Sequence, residues 1–326
     1  MLPPRSRSLV RSALTGKVRR RLAPGFAIVA VVGILLATAS PASADSGTSR
    51  VNFIGTTAAD LTVYRPATGT WYARSLSGAT FITNFGLSTD QPYPEDYDGD
   101  GIADVAVFRP STGQWWIRSS QTGAVSVVNF GVSTDVPYPA HYVGNDSLAD
   151  IAIFRPSTGQ WWIRNSANGA LTVFNFGSST DTIEPGDYNG DGITDVAVQK
   201  TNGQNWWRNG ANGAVAVVNY GNGTDTNVQG DYDGDDTTDW AKVRTQGSSL
   251  VWYVQRSTGG STVQAFGSSS DLVAPADYDG DGKTDIAIWR PASGQWWIQQ
   301  STGGVAVISW GQIGDALPIR NYITTP

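Results

Sequence analysis

Four aspartates stand within nine residues at 96–104, directly before an apolar segment, in the stretch DYDGDGIADVAVFRP. The oxygen atoms that this loop offers at alternate positions are the carboxylates of Asp96, Asp98, Asp100 and Asp104 and the main-chain carbonyl of Ile102. Alternating oxygen ligands in a tight loop suit a hard cation of the size of Ca²⁺, and glycine permits the sharp bend that such a loop needs. The spacing therefore predicts a calcium site.

This loop differs from an EF-hand, which requires a glutamate at the twelfth position and a helix on each side. Val107 stands at the twelfth position, and strand-like segments flank the loop. A turn without metal is the plainer alternative, because Asp, Asn and Gly are common turn formers. Four carboxylates in one loop would repel each other at pH 7 without a cation, which favours a calcium loop within a β-hairpin.

The acidic loop is one unit of a repeat, with close variants at 187–200, 231–244 and 277–291. The last aspartate of each unit recurs at spacings of 44 to 46 residues, at Asp60, Asp104, Asp150, Asp195, Asp239 and Asp285. Periods of this size are typical of stacked or circular arrays of one supersecondary unit.

Two of the six units have lost the ligand types. The first has Ile54 and Thr56 where the other units have aspartate or asparagine, and the third has His141 and Val143. Neither unit is expected to hold Ca²⁺ well, so the sequence predicts about four calcium ions per chain.

Each unit contains four short runs of β-branched and aromatic residues, separated by turns rich in Gly, Asn, Ser and Asp. Such runs predict a four-stranded antiparallel meander. Both faces of its second strand are apolar, so neighbouring units must cover each side, as the blades of a β-propeller do. We predict an all-β propeller of six four-stranded blades. The tail, 315–326, repeats the beginning of a unit and is expected to pair beside the first blade and close the ring; the alternative is a seventh, incomplete blade.

The N-terminus has the pattern of a secretory signal peptide. Residues 1–25 carry seven basic residues and no acidic one, an apolar run FAIVAVVGILLATAS follows, and ASA at 42–44 supplies small residues for cleavage near Ala44. A membrane anchor is the alternative, but the run is shorter than the roughly 20 residues that a span requires. The predicted organisation is a signal peptide at 1–44, removed from a secreted protein, and one propeller domain at 45–326 with no membrane span.

Composition restricts the partners of the mature chain. Removal of the signal leaves 15 Lys and Arg against 28 acidic residues, a net charge near −13. Nucleic acid and anionic membranes bind through clustered Lys and Arg, so neither is an expected partner. The chain has no cysteine, which excludes a disulfide framework and thiol chemistry.

The motif DYDGDGxxDxAxxRP, preceded by NFG and by P-x-P or P-A segments, resembles the FG-GAP/VCBS repeats of bacterial secreted proteins, integrin α-chain propellers and some fungal lectins. The resemblance covers about 51–326. It implies a propeller with Ca²⁺ in the loops between first and second strands, and a role in extracellular binding or adhesion. Integrin propellers typically have seven blades, so the predicted count of six is a departure.

The resemblance extends the ligand set of 96–104 to three further loops. By matching position, the implied ligands are Asp187, Asn189, Asp191, Ile193 and Asp195; Asp231, Asp233, Asp235, Thr237 and Asp239; and Asp277, Asp279, Asp281, Lys283 and Asp285. Asp236 replaces the usual loop glycine in the second of these sets, at 231–239, which makes that site less certain.

The sequence offers little for catalysis. His141 is the only histidine, and no G-x-S-x-G motif occurs. Carboxylate pairs of the glycosidase type are abundant, but the repeated loops account for nearly all of them. Further aspartates recur after the FG turns, at Asp90, Asp135, Asp181, Asp225, Asp271 and Asp315, and repeated residues are more often structural because a single active site breaks symmetry.

Tryptophans recur on the third strand of each unit, at Trp71, Trp115/Trp116, Trp161/Trp162, Trp206/Trp207, Trp252 and Trp296/Trp297. They suit a sugar-binding surface, but core packing between blades is the favoured interpretation. A basic residue also recurs where the second strand ends, at Arg65, Arg109, Arg155, Lys200, Arg244 and Arg290. It is expected to pair with a loop carboxylate, and contact with a ligand is the alternative.

These observations favour a secreted, non-enzymatic, calcium-stabilised propeller that binds an extracellular glycan or protein. A secreted hydrolase that acts on polysaccharide is the rival hypothesis, and a purely structural accessory module is the third.

Overall fold

The computed structural model describes residues 51–144 and 146–318. The predicted signal peptide, its cleavage site and the last eight residues of the tail lie outside the described residues. The regular elements are 23 β-strands, arranged in six antiparallel sheets in which consecutive strands are neighbours. The prediction of an all-β propeller with six blades is confirmed.

The blades follow one another along the chain. Blade 1 contains β1 (Leu61–Arg65), β2 (Thr70–Arg74) and β3 (Thr80–Asn84). Blade 2 contains β4 (Gln91–Pro92), β5 (Val105–Arg109), β6 (Gln114–Arg118) and β7 (Val125–Asn129). Blade 3 contains β8 (Val136–Pro137), β9 (Ile151–Arg155), β10 (Gln160–Arg164) and β11 (Leu171–Asn175).

The second half of the ring repeats this order. Blade 4 contains β12 (Thr182–Ile183), β13 (Val196–Gln199), β14 (Gln204–Arg208) and β15 (Val215–Asn219). Blade 5 contains β16 (Thr226–Asn227), β17 (Trp240–Gln246), β18 (Ser249–Gln255) and β19 (Ser261–Ser268). Blade 6 contains β20 (Leu272–Val273), β21 (Ile286–Arg290), β22 (Gln295–Gln299) and β23 (Val305–Ser309).

The tail completes blade 1, which has only three strands of its own. Ala316 and Tyr64 exchange two backbone hydrogen bonds, of 2.8 and 2.7 Å, so Ala316 takes the place of a first strand beside β1. The prediction that the tail pairs beside the first blade is thereby confirmed, and the alternative of a seventh blade is wrong.

Burial falls from the second strand to the fourth. In blade 2, the first four residues of β5 are buried on both faces, β6 alternates, and β7 is largely exposed. A strand buried on both faces needs cover from two neighbours, which adjacent blades supply. Trp115 on β6 is fully buried, and its indole N–H donates to the Phe130 carbonyl at 2.9 Å. The first tryptophan of the pair is therefore core, whereas Trp116 is only half-buried.

Six equivalent loops, each directly before the second strand of its blade, end in the repeated aspartate, and we number them by blade. They are loop 1 (52–60), loop 2 (96–104), loop 3 (141–150), loop 4 (187–195), loop 5 (231–239) and loop 6 (277–285). The residue before the last aspartate of each loop donates its N–H to the carbonyl of the first residue of the preceding loop, at 2.6–2.8 Å. The bond from Ala59 to Asp277 connects loop 1 with loop 6, so these hydrogen bonds form a closed circle.

Blade 4 departs from the common core. In blade 2, Tyr93, Phe108 and Trp115 form an aromatic cluster with ring centroids 5.5–5.7 Å apart. The matching positions of blade 4 hold Glu184, Gln199 and Asn205, which are all buried. The predicted pair Trp206/Trp207 is therefore shifted by one residue, because Asn205 occupies the place of the core tryptophan.

Lys242 of blade 5 completes this polar core. It occupies the place that Val107 has in blade 2, and its side chain is 1% exposed. Its ammonium group donates to Glu184 Oε2 at 2.6 Å, Asn205 Oδ1 at 2.9 Å and Asn227 Oδ1 at 2.6 Å. Buried charges require such pairing. Blades 4 and 5 thus meet here through an ion pair, in addition to the stacked rings of Tyr188 and Trp240, whose centroids are 4.0 Å apart.

Candidate metal centre

Three acidic loops bring carboxylates together. One oxygen from each of three aspartates lies within 4.8 Å of the others in loops 2, 5 and 6. These aspartates occupy the first, third and ninth positions, and they are Asp96, Asp98 and Asp104; Asp231, Asp233 and Asp239; and Asp277, Asp279 and Asp285. The fifth-position aspartates predicted as ligands are not members of these clusters.

The first aspartate organises the bend of its loop. Both oxygens of Asp96 accept backbone hydrogen bonds, from the N–H groups of Gly99, Asp100 and Gly101 at 2.6–3.2 Å. Gly101 has a φ of 82°, a conformation that costs glycine little and most other residues much more. The loop thus folds around a carboxylate that its own sequence supplies.

The fifth aspartate has a structural role. Asp100 accepts from the N–H of Ile102 at 2.8 Å and from the hydroxyl of Ser120 at 2.9 Å. Asp235 and Asp281 make the same two kinds of contact. Metal ligation by these side chains, by Asp191, and by the carbonyls of Ile102, Ile193, Thr237 and Lys283 stays a prediction.

The ninth aspartate connects two hairpins in blades 2 to 6, including blades 3 and 4, whose described residues contain no cluster of three aspartates. In blade 1, the described residues that donate to Asp60 all belong to its own loop. Asp104 accepts from the N–H of Tyr97 at 2.9 Å and from the N–H of Ser120 at 2.6 Å. Burial raises the pKa of Asp104 to about 7. The negative charge of Asp98 also raises this pKa, whereas the two hydrogen bonds lower it. A nearby cation would stabilise the ionised form.

Loop 4 has Asn189 at the third position, so its set of candidate ligands contains one carboxylate fewer. Asp187 accepts four backbone N–H groups, so it organises its loop in the way that Asp96 organises loop 2. Asp195 accepts from Tyr188 and Gly210 and has a pKa raised to about 7 by burial. The geometry is retained while the negative charge is reduced.

Loops 1 and 3 replace the carboxylate at the first position with a side chain that reaches the next blade. Asn52 donates to the carbonyl of Gly101 in loop 2 at 3.4 Å. The Nδ1 atom of His141 lies 2.9 Å from the carbonyl of Gly192 in loop 4. In loops 1 and 3, the first-position side chain thus makes a polar contact with the next loop and contributes no carboxylate.

Hydroxyl groups after the third strand complete the acidic clusters, and the sequence analysis missed them. Ser119 donates to Asp98 at 2.5 Å, Thr302 donates to Asp279 at 2.5 Å, and Thr258 donates to Asp233. Their sequence signal is the recurring pair of small polar residues, SS, ST and ST, that follows the third strand in blades 2, 5 and 6.

The donor set fits a hard divalent cation. Asp233 Oδ1 and Asp279 Oδ1 are buried, and among the described residues neither has a hydrogen-bond partner. Carboxylate oxygens without a donor, next to two further carboxylates, match the ligands that Ca²⁺ takes in proteins.

The basic residues at the end of the second strand have a separate structural role. Arg109 forms two hydrogen bonds with Asp90, of 2.9 and 2.8 Å, and its guanidinium lies 4.8 Å from the ring centroid of Trp116. The equivalent ion pairs are Arg65–Asp315, Arg155–Asp135, Lys200–Asp181, Arg244–Asp225 and Arg290–Asp271. The expected carboxylate partner is therefore the aspartate that follows the FG turn, not one in the acidic loop.

Among residues 51–144 and 146–318, no helix is long and apolar enough to cross a membrane. No curated protein matches the chain. The structure is similar to virginiamycin B lyase from Staphylococcus aureus, with 9% identity, a TM-score of 0.45, and coverage of 81% of this chain and 88% of that one. It is also similar to an auxiliary nutrient binding protein from Bacteroides thetaiotaomicron, with 11% identity, a TM-score of 0.44, and coverage of 73% and 70%. Likenesses this weak carry no argument about activity.

The family comparison concerns blade 6 directly. Residues 271–308 match the FG-GAP repeat, and they contain loop 6 and strands β20 to β22. The other five blades repeat the same strand order, loop position and ion pair. The chain is therefore a six-bladed β-propeller whose sixth blade matches the FG-GAP repeat.

Proposed function

We propose that this protein is a secreted, calcium-stabilised binding module without enzymatic activity, and that its ligand is an extracellular glycan or protein. A β-propeller that contains an FG-GAP repeat supports a role as a binding or scaffold module. Export, calcium binding and the class of ligand are the parts that we add to that statement.

The circle of hydrogen bonds between loops carries the proposal. The carbonyl of Asp231, whose side chain belongs to the loop 5 cluster, accepts from the N–H of Thr284 in loop 6 at 2.6 Å. An ion held by the side chain of Asp231 would therefore fix a residue that also binds the next blade. Calcium in such loops would maintain the order of the blades and the surfaces between them.

We propose that the protein is not an enzyme because its repeated carboxylates have structural roles. The repeated carboxylates serve as loop centres, hairpin connectors or arginine partners, and each of these roles recurs around the ring. The core ion pair of Glu184 with Lys242, which does not recur in the other described blades, is buried and offers no surface to a polymer.

The test is a glycan array, together with a pull-down of extracellular proteins, performed on the mature chain with calcium and with a chelator. The proposal predicts binding that calcium restores after chelation. Turnover of a polysaccharide that persists through repurification would support the hydrolase instead. A protein that is folded in calcium but binds no glycan and no extracellular protein would contradict the proposal.

A further inference from the structure

The surface between blades 5 and 6 contains a cavity of about 490 Å³, which we call groove 5/6. Its lining includes Arg256, Thr262 and Gln264 from blade 5 and Lys283, Thr284 and Gln299 from blade 6. Asp233 of the loop 5 cluster also borders it. Pockets of this size hold small organic ligands.

An equivalent groove between blades 2 and 3, groove 2/3, shows what is particular to groove 5/6. Groove 2/3 measures about 300 Å³ and has Val128 and Arg164 where groove 5/6 has Gln264 and Gln299. The two glutamines face each other, with Gln264 Nε2 at 3.2 Å from Gln299 Oε1. One apolar wall and one arginine are thus replaced by two amides, and amides both donate and accept hydrogen bonds.

Groove 5/6 also contains two cations without acidic partners. Among the described residues, no ion pair involves Arg256 or Lys283, and none involves Arg164, the single such cation of groove 2/3. The arginines that end the second strands, such as Arg109, are paired. The guanidinium of Arg256 donates to the hydroxyl of Thr262 at 2.8 Å, which fixes its orientation at the cavity wall. Lys283 stands at the seventh loop position, where loops 2 and 4 have Ile102 and Ile193.

A further polar atom lacks a partner at this cavity. Thr284 is 4% exposed, and its hydroxyl forms no hydrogen bond with any described residue. A buried hydroxyl without a partner has a free-energy cost unless another molecule satisfies it. The cavity therefore combines positive charge, two amides and an unsatisfied hydroxyl on a chain whose formal net charge is −6.

From this combination we infer that groove 5/6 is a binding site for an acidic saccharide, recognised through a carboxylate at Arg256 and Lys283 and through hydroxyl groups at Gln264 and Gln299. Arginine and lysine form the stronger, charge-assisted hydrogen bonds with carboxylates. Amide side chains suit the neighbouring hydroxyl groups of a sugar because they supply donors and acceptors together. This inference rests on the proposed function, since it specifies the ligand of the binding module.

The test is calorimetric titration of the calcium-loaded mature chain with oligogalacturonate and with its methyl ester, which has the same sugar units without the charges. We expect binding of the acid and at least about tenfold weaker binding of the ester, because the ester cannot form the charge-assisted hydrogen bonds. Arg256→Gln and Lys283→Ile are each expected to weaken binding of the acid by about tenfold or more. Arg164→Gln in groove 2/3 is the matched control and is expected to leave the affinity unchanged.

The outcomes separate this inference from the proposed function. Equal affinity for acid and ester, no binding of the acid, or full affinity in both variants would overturn the acidic saccharide site. If the same preparation then binds a neutral glycan or an extracellular protein, the binding module stands without this site. Melting curves in calcium verify that each variant is folded, since both substitutions are on half-buried surface positions.

Discussion

Lys242 Nζ lies 2.6 Å from Glu184 Oε2, although the two residues are 58 positions apart in the chain. Both side chains are 1% exposed. Burial raises the pKa of Glu184 to about 6 and lowers that of Lys242, while their mutual attraction opposes both shifts. The pair is a buried ionic contact between blades 4 and 5.

Removal of one partner is expected to be costly. Lys242→Met should lower the free energy of unfolding by about 3–5 kcal/mol, because it leaves a buried carboxylate without its counter-charge. Denaturant unfolding in calcium measures the change. The double variant Lys242→Met with Glu184→Gln should lose less than Lys242→Met alone, and a larger loss in the double variant would contradict the role of charge pairing.

Calcium is expected to stabilise the whole ring. A chelator should lower the melting temperature and increase cleavage by protease, because ions that bind only the folded state add stability by mass action, about 2.7 kcal/mol per site at a concentration of 100 Kd. Differential scanning calorimetry with EDTA, then with added Ca²⁺, measures the effect. Magnesium serves as the control cation. An unchanged melting temperature would refute calcium loops in this protein.

Loop 4 is expected to hold calcium most weakly of the four intact loops, because Asn189 provides no charge. Asn189→Asp should increase calcium affinity by roughly tenfold, since a charged ligand is added to a retained geometry. The reciprocal substitution, Asp98→Asn in loop 2, should decrease it by a similar factor. Calorimetric titration with Ca²⁺ compares the two variants with the parent chain. The prediction requires that the calcium affinity increases in Asn189→Asp and decreases in Asp98→Asn.

Asp236 has a φ of 62° and is the only described residue other than glycine with positive φ. It occupies the place of Gly101 and keeps the same hydrogen bond, from its N–H to Asp231 Oδ2 at 2.8 Å. Asp236→Gly should stabilise the fold by about 1 kcal/mol, because an L side chain is strained in this region. Unfolding should be measured in EDTA, so that calcium affinity does not contribute. Gly282→Asp in loop 6 is the reciprocal control and should destabilise.

Asp60 makes stability depend on pH. Burial raises its pKa to about 6, and Oδ1 has no hydrogen-bond partner among the described residues. The folded state therefore favours the protonated carboxyl, so the stabilisation is fully present below pH 3.8 and is lost as pH rises to about 6.

Asp60→Asn should remove this dependence. The free energy of unfolding of the variant, relative to that of the parent chain, should increase by up to about 3 kcal/mol between pH 4 and pH 7. Chemical denaturation at several pH values in EDTA gives the difference, and a constant difference would show that Asp60 remains ionised in the folded protein.

Much of the fold could be predicted because its determinants are local and repeated. The period of 44 to 46 residues, the turn residues and the doubly apolar second strands together predicted six blades, and the tail beginning at Asp315 predicted the closure. The candidate site was less predictable. The sequence of the acidic loop predicts fifth-position aspartates as ligands but does not reveal that Asp100 also accepts a hydrogen bond from Ser120, which belongs to another hairpin.

The sequence by itself determined the repeat, the strand order and the acidic loops, because turn chemistry and alternating burial act over a few residues. Only the tertiary structure decided which carboxylates gather, which loop carbonyl receives the next blade, and why blade 4 lacks its aromatic cluster. Glu184 and Lys242 are each unusual in their own repeats, but only the packing of blade 4 on blade 5 brings the two charges together. A buried charge is tolerated where a partner of opposite charge neutralises it. Here the partner is distant in the sequence, and the packing of neighbouring blades brings it close.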